Sequence, residues 1–339
     1  MDWSKSYKAS WRFFRVNRKT WADAESISGI DGVEVTRTAD GDLLESGSIE
    51  TNGELDADYY RAVMTAEQDG EVERVDVATL LYEESDGEND HGGTTHTLDG
   101  HSVLYPASKT AILTGEYAPS GIDGAQYAAE MLQQTINAPV HVEGSFTLNE
   151  NIVHEIGASV LDAVWAVLNA GNFVIQIDGR GEVYIVPMPT EPALILDNSS
   201  MNLLTNGLHY TTNISEIPNR YIIIDQDFMT VATNDDPESE VSTVSRGYYV
   251  DEVDESAIPV NGETYEEYAD RMLHAKSCME DERKYEREYC PDVLLYDIVK
   301  ISINSLQGDL RVHSQSINSE HGITVEEKAI RSIDLWPTK

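Results

Sequence analysis

Between Tyr59 and Glu84 the chain writes a hairpin. Tyr59–Glu67 is followed by the turn Gln68-Asp69-Gly70-Glu71 and then by VERVDVATLLYEE, with β-branched residues alternating with charges over much of the length. Asp-Gly at the tip suits a two-residue turn whose central residues both need positive φ. A period of two cannot be buried as a helix, and an isolated strand pair is marginal in water. The chain must therefore supply further strands and cover or pair their edges.

Those strands are readable. Residues 6–16 (SYKASWRFFRV) and 33–37 are predicted strands, LLESGSIET a turn and short strand, and HTLDGHSVLYPA a return strand after a polar loop at 84–95. At about residue 116 the pattern changes. Gly121–Ile136 reads as a helix that Asp123 caps, with Tyr127, Met131, Leu132 and Ile136 on one face. A second helix, 159–170, has Ser159 as N-cap, a stripe of Leu161, Val164, Trp165 and Leu168, and Gly171 beyond its end. A hairpin over 173–186 follows through Asp178-Gly179-Arg180-Gly181, and then Pro187, Pro189 and Pro192 punctuate a linker.

The remainder returns to β. Strands are predicted at 221–225 and 246–250 around the acidic loop 234–240, and at 284–289, 294–303, 309–318 and 325–335. A helix at 264–276 turns Tyr265, Tyr268, Met272 and Leu273 toward a core. The expected fold is α+β and mostly β: a β-domain over 1–115, an inserted α/β module over 116–205, and a second β-domain over 206–339. A chain of 339 residues is long enough for two or three such cores.

Charge excludes more than it reveals. Sixty-one acids against 23 bases give a formal net charge of −38, which repels phosphate backbones and anionic lipids. The bases are uneven: Lys5, Lys8, Arg12, Arg15, Arg18 and Lys19 fall in the first nineteen residues with Asp2 as the only acid there. From 20 to 100 only Arg37, Arg61 and Arg74 stand among about twenty acids. That basic strand is either a solvated strand or a surface for an acidic neighbour. Salt adaptation of a whole proteome is another source of acidity, in keeping with only nine lysines among the 23 bases. No apolar run reaches the roughly 18 residues of a membrane span, and the basic opening lacks an apolar signal segment, so neither export nor membrane anchoring is expected. Cys278 and Cys290 make no disulfide framework, and synthesis in a reducing cytoplasm is expected.

Motifs for chemistry are incomplete. His154-Glu155 opens like H-E-x-x-H, but Ala158 stands where the second histidine belongs. Asp86, Glu88 and Asp90 have the first spacings of a calcium loop, yet His91 replaces its glycine and Thr97 its bidentate glutamate. His91, His96 and His101 recur every five residues and are the candidate metal ligands if a hairpin brings two together; the expectation is nonetheless no metal and no cofactor. Gly179-Arg180-Gly181 precedes a strand and so is a turn, not a phosphate cradle. No acid pair for glycoside hydrolysis stands out among so many acids, and no catalytic residue is assigned. Trp11, Trp21, Trp165 and Trp336 could line a sugar site, although Trp165 falls on a core stripe.

Three stretches together resemble a family. Arg15-Val16, Thr20-Trp21, Gly32-Val33-Glu34-Val35-Thr36-Arg37 and Leu44-Glu45-Ser46-Gly47-Ser48 look like the opening of tail proteins of long-tailed phages and prophages. Val160-Leu161-Asp162-Ala163, Leu168-Asn169-Ala170-Gly171-Asn172-Phe173 and Asp178-Gly179-Arg180-Gly181 are similar to their helix-hairpin module. Tyr289-Cys290-Pro291-Asp292 and Tyr296-Asp297-Ile298-Val299 resemble the strand entry of their second tube-like domain, with Tyr296 where the family's turn has glycine. The resemblance implies a tail-tip, or baseplate, hub: two tail-tube-like β-barrels with an inserted α/β module, assembled as a homotrimer into a ring that continues the tail tube. Implied partners are tail-tube and distal tail proteins, the tape-measure protein, and tip spike or receptor-binding proteins. DNA would pass through without specific binding, and the place of action would be the virion tail tip. Because the sequence ends with its second β-domain, the hydrolase or receptor-binding extension of related proteins is expected to be absent. The competing classes are a tail-associated cell-wall or polysaccharide hydrolase and a carbohydrate-binding module, which turnover in a zymogram and glycan binding would respectively reveal.

Overall fold

A computed structural model describes residues 7–53, 55–90, 93–197, 209–212, 214–225, 228–254, 257, 264–303, 306–319 and 324–336. They fall into two compact units, one of residues 1–208 with 284–329 and one of 209–283 with 330–339. The sequence suggests divisions near 115 and 205. The contacts instead group the 116–205 module with the β-segments on both sides of it.

The first unit is built on an antiparallel sheet. Starting from Leu306–Asn318, its neighbours run Ile30–Thr38, Glu45–Thr51, Gly93–His101, Glu71–Asp90, Asp58–Gln68, Lys8–Val16 and Asp23–Ile27. The pairing of Ser314 with Thr38 through Asn318 with Glu34 joins strands far apart in sequence. The N-terminal and C-terminal β-segments thus share one sheet, and among the described residues its pairing is an open path with Asp23–Ile27 at one end. Mostly β with a few helices, the chain is α+β as its sequence pattern requires.

The central hairpin turns as its sequence demands: Asp69 and Gly70 have φ of 51° and 86°, and Gln68 pairs with Glu71 across them. Alternation gives way to burial on both faces, because two clusters sandwich the sheet. Tyr59 and Leu81 belong to one; Tyr60, Met64, Val75 and Leu80 belong to the other. The polar stretch 84–95 is expected to be a loop; its described residues, 84–90 and 93–95, are instead in strands, with Glu84 opposite Asp99 through Asp90 opposite Gly93. Backbone hydrogen bonds form the ladder there whatever the composition.

Both module helices are where their caps place them, at Gly124–Gln133 and Val160–Ala170. Asp123 accepts from the Ala125 and Gln126 N–H groups, and Ser159 with Asp162 forms a capping box. Of the expected stripe, Leu161, Val164 and Leu168 are buried and Trp165 is only half-buried. On the first helix the buried face is Ala125, Ala128, Ala129 and Leu132, so Tyr127 and Met131 are displaced to its flank. Close approach favours small side chains there: a Cβ on Gly124 or Gly171 would stand 2.4 Å from the Phe146 ring. Phe173–Ile177, Val183–Pro187 and Val140–Val142 make the module's small sheet. Past the expected proline linker, Pro192–Asp197 is a strand parallel to Ile298–Ile303.

In the second unit, strands Phe228–Thr233, Arg220–Asp225 and Asp251–Asp254 form a three-stranded sheet. Helix Tyr265–Lys276, opened by a Thr264–Glu267 capping box, packs Ala269 and Leu273 on Tyr221, Ile223 and Ala232. The strand expected at 246–250 is not formed: a short helix, Thr243–Arg246, ends on left-handed Gly247 and the strand begins at Asp251.

Candidate interaction surface

The turn Asp178-Gly179-Arg180-Gly181 is a fastening point. The carbonyl of Arg180 accepts from Trp21 Nε1 at 2.8 Å and from Arg61 Nη2 at 3.0 Å, and the Gly179 carbonyl accepts from Thr79 Oγ1 at 3.2 Å. Arg61 is fully buried. An alternating series of charges continues outward from it: Asp23 holds Arg61 at 2.6 Å and Arg74 at 2.7 Å, Arg74 holds Asp76 at 2.7 Å, and Arg180 reaches Glu182 at 3.1 Å. His141 closes on Glu182 at 2.9 Å. The loop that resembles a phosphate-binding sequence is thus spent on joining the module to the sheet.

Sequence-selected residues are scattered or engaged in packing. His96 and His101 lie five apart on one strand, which puts them on opposite faces, and His101 stacks on Tyr105 with centroids 4.2 Å apart. The structure does not bring those two together; His91 lies outside the described residues. Among the described residues no group of three or more metal-ligating side chains occurs. His154 is buried, its Nε2 3.2 Å from the Tyr127 hydroxyl, and burial holds its pKa below the usual range. The backbone of Asp86, Glu88 and Asp90 runs in the extended hairpin, opposite Thr97, Thr95 and Gly93. Trp11 stacks on Phe13, Trp21 meets Tyr59 edge-on, Trp165 donates to the Asp42 carbonyl, and Trp336 stacks on His274.

Two of the six bases of the N-terminal cluster are spent within the chain. Arg15 and Arg18 grip the two oxygens of Asp58 at 2.6 and 2.7 Å. Burial raises the pKa of Asp58, but the hydrogen bonds from Arg18 and Arg15 outweigh it and hold the carboxyl below the ordinary range. Lys8 and Arg12 stay exposed on one face of their strand, and Lys5 lies outside the described residues.

Two exposed apolar surfaces stand out, one in each unit. In the first, the antiparallel segments 111–118 and 152–159, joined at Tyr117–Val153 and Ala111–Ser159, carry Leu113 at 83%, Val153 at 74%, Ile156 at 70% and Tyr117 at 51% exposure. Beside them opens a cleft of about 450 Å³, its far wall formed by Tyr127, Glu130, Met131 and Gln134. In the second unit, the sheet face away from helix Tyr265–Lys276 exposes Ile224, Met229, Val231 and Val253. Its charges are paired, since Arg220 grips Asp251 with two contacts of 2.6 Å under the Tyr249 ring. Contiguous apolar surface of this kind marks sites of contact with other molecules.

Comparison with solved structures identifies the architecture. A tail protein from Neisseria meningitidis MC58 matches with a TM-score of 0.64 at 13% identity, over 97% of this chain and 98% of the other. The 43 kDa tail protein of prophage MuSo2 from Shewanella oneidensis matches at 0.62 and 12% identity, over 96% and 98%. The chain has the fold of phage tail proteins. Prophage tail protein gp18 from Listeria monocytogenes EGD-e follows at 0.54 and 10% identity, over 96% and 95%. No protein-family model matches the sequence, and no curated protein matches it in sequence.

The tail-protein fold accommodates the one residue that departs from the family-like turn. Tyr296 stands at φ 69°, the left-handed conformation a glycine would take. Asp297 holds the turn: its carboxylate accepts from the Leu294 N–H at 2.8 Å and from Gln176 Nε2 at 2.9 Å. Arg311 donates to the Tyr296 carbonyl at 2.7 Å. Left-handed strain of about 1–3 kcal/mol is tolerated where surrounding contacts over-determine the backbone.

Proposed function

We propose that this chain is a non-enzymatic structural subunit of a phage or phage-like tail, a hub at the tail tip. Copies of it would form a ring that continues the tail tube and joins it to the tip during attachment and DNA ejection. The observation that carries this reading is the whole-length likeness, 97% of this chain on 98% of the Neisseria tail protein, which concerns the chain as a whole and not a widely shared module. Its exposed apolar surfaces suit a subunit that works by contact. Neighbours of the kind expected from the sequence (tube, distal tail, tape-measure and spike or receptor-binding proteins) would occupy part of that surface. A ring must close head to tail, because open contacts of that type grow into fibres. The test is a structure of the assembled particle, where three copies per tail tip are expected. One or two copies there would remove the ring.

A further inference from the structure

We infer that the cleft beside residues 111–118 receives the exposed basic face of the Lys8–Val16 strand from a second copy of this chain, an inference that rests on the ring reading above. Charge makes the match. From residue 110 to 179 there are eight acids and no Lys or Arg, whereas the first nineteen residues hold six bases and one acid. Glu116 and Glu130 line the cleft, and both are exposed. Lys8 and Arg12, on one exposed strand face, are complementary charges that Asp58 does not engage, as it does Arg15 and Arg18; Lys19, beyond the strand, is exposed as well.

Shape and chemistry agree. Long basic side chains lay apolar stems along apolar surface and present the charge at the end. Leu113 in the cleft wall and Ile156 on the neighbouring segment provide such surface, with the exposed Glu116 and Glu130 carboxylates on the cleft lining as acceptors. Both surfaces lie in the first unit and both remain open in a single copy, so the cleft does not take the strand of its own chain. Each copy can therefore give one surface and receive on the other, which is the head-to-tail contact a ring requires. Elsewhere, like-charged surfaces of copies carrying −38 repel, so this basic face is where approach is electrostatically favoured.

The test is sedimentation of the full chain at low salt, up to the roughly 1 mM effective concentration that neighbours in an assembly experience. Self-association is expected. Lys8→Glu with Arg12→Glu, or Glu116→Lys with Glu130→Lys, should each weaken it at least roughly tenfold, and all four together should restore it to within roughly threefold of the unaltered chain. All four positions are exposed, so the variants keep the fold. A chain that stays monomeric throughout, reversals without effect, or a fourfold variant that is not restored overturns the inference. Reversed variants that still build a three-copy ring in the particle overturn it too and leave the ring reading standing, whereas a particle with one or two copies removes the ring itself.

Discussion

At position 179 a Cβ would stand 1.7 Å from the carbonyl oxygen of Asp76 and 2.4 Å from its carbon, both backbone atoms of the Glu71–Asp90 strand, which pairs there with Val63. Neither can yield as a flexible side-chain end would. Gly181 adds positive φ, 71°, and would set a Cβ 2.8 Å from Thr79. Between them lies the Arg180 carbonyl that satisfies Trp21 and the fully buried Arg61. Pushing the turn away would leave a buried guanidinium short of an acceptor, which costs more than the steric clash alone. Gly179→Ala is therefore expected to lower unfolding stability by on the order of 3 kcal/mol. Gly53→Ala, whose Cβ meets nothing within 4 Å, should stay within about 0.5 kcal/mol of the unaltered chain. Denaturant titration of the two variants side by side checks this, and equal midpoints would refute the fastening role.

Between helix Gly124–Gln133 and the Ile152–Val153 strand, His154 gives the module a pH response. Burial is the largest influence on its ring and lowers the pKa, with the nearby Glu116 charge opposing. The unfolded chain, with histidine near about 6.5, binds a proton that the folded chain refuses. Stability contributed by this site is thus complete above about pH 6.5 and declines as pH falls from there toward the lower folded value. Asp58 acts in a separate window, since a depressed carboxyl loses its contribution only below about pH 4. His154→Gln should flatten the decline that sets in below about pH 6.5 and leave the lower one in place, as thermal unfolding across pH would show. At this scale the sequence was legible wherever a local rule decides the outcome. Asp69-Gly70 sets a hairpin, and Asp123 and Ser159 set helix starts. It was not legible where partners decide: the polar residues 84–90 and 93–95 pair through their backbone, and Ile30–Thr38 meets Leu306–Asn318 from the other end of the chain. The cleft was half visible. Its charge complement could be counted along the chain, but the apolar surface beside it (Leu113, Tyr117, Val153 and Ile156) exists only because two distant segments run side by side.

For the whole molecule the governing quantity is the charge of −38, and in a tail-tip ring it would bear on the DNA that passes. Basic side chains on a channel wall bind phosphates and release counterions, so each such contact holds the polymer back, whereas acids leave it free to slide. Acids spread over every solvent face would do the same for the free protein but would not distinguish lumen from outer wall. Under the proposed docking, the basic Lys8–Val16 face lies between copies and is withheld from the channel. The lumen-facing residues are then expected to be Asp, Glu and uncharged polar residues, at a potential at least as negative as the outer wall. The full chain should also fail to retain duplex DNA at about 150 mM salt, where nonspecific binders still hold with dissociation constants of roughly 10⁻⁴ to 10⁻⁶ M. Gel-shift titration to that range checks the second expectation, and the potential mapped on the assembled ring checks the first. Lysines or arginines lining the lumen, or a DNA complex that weakens steeply with added salt, would refute free sliding. The tail-protein fold would be unaffected by either result, because it rests on chain topology and not on charge.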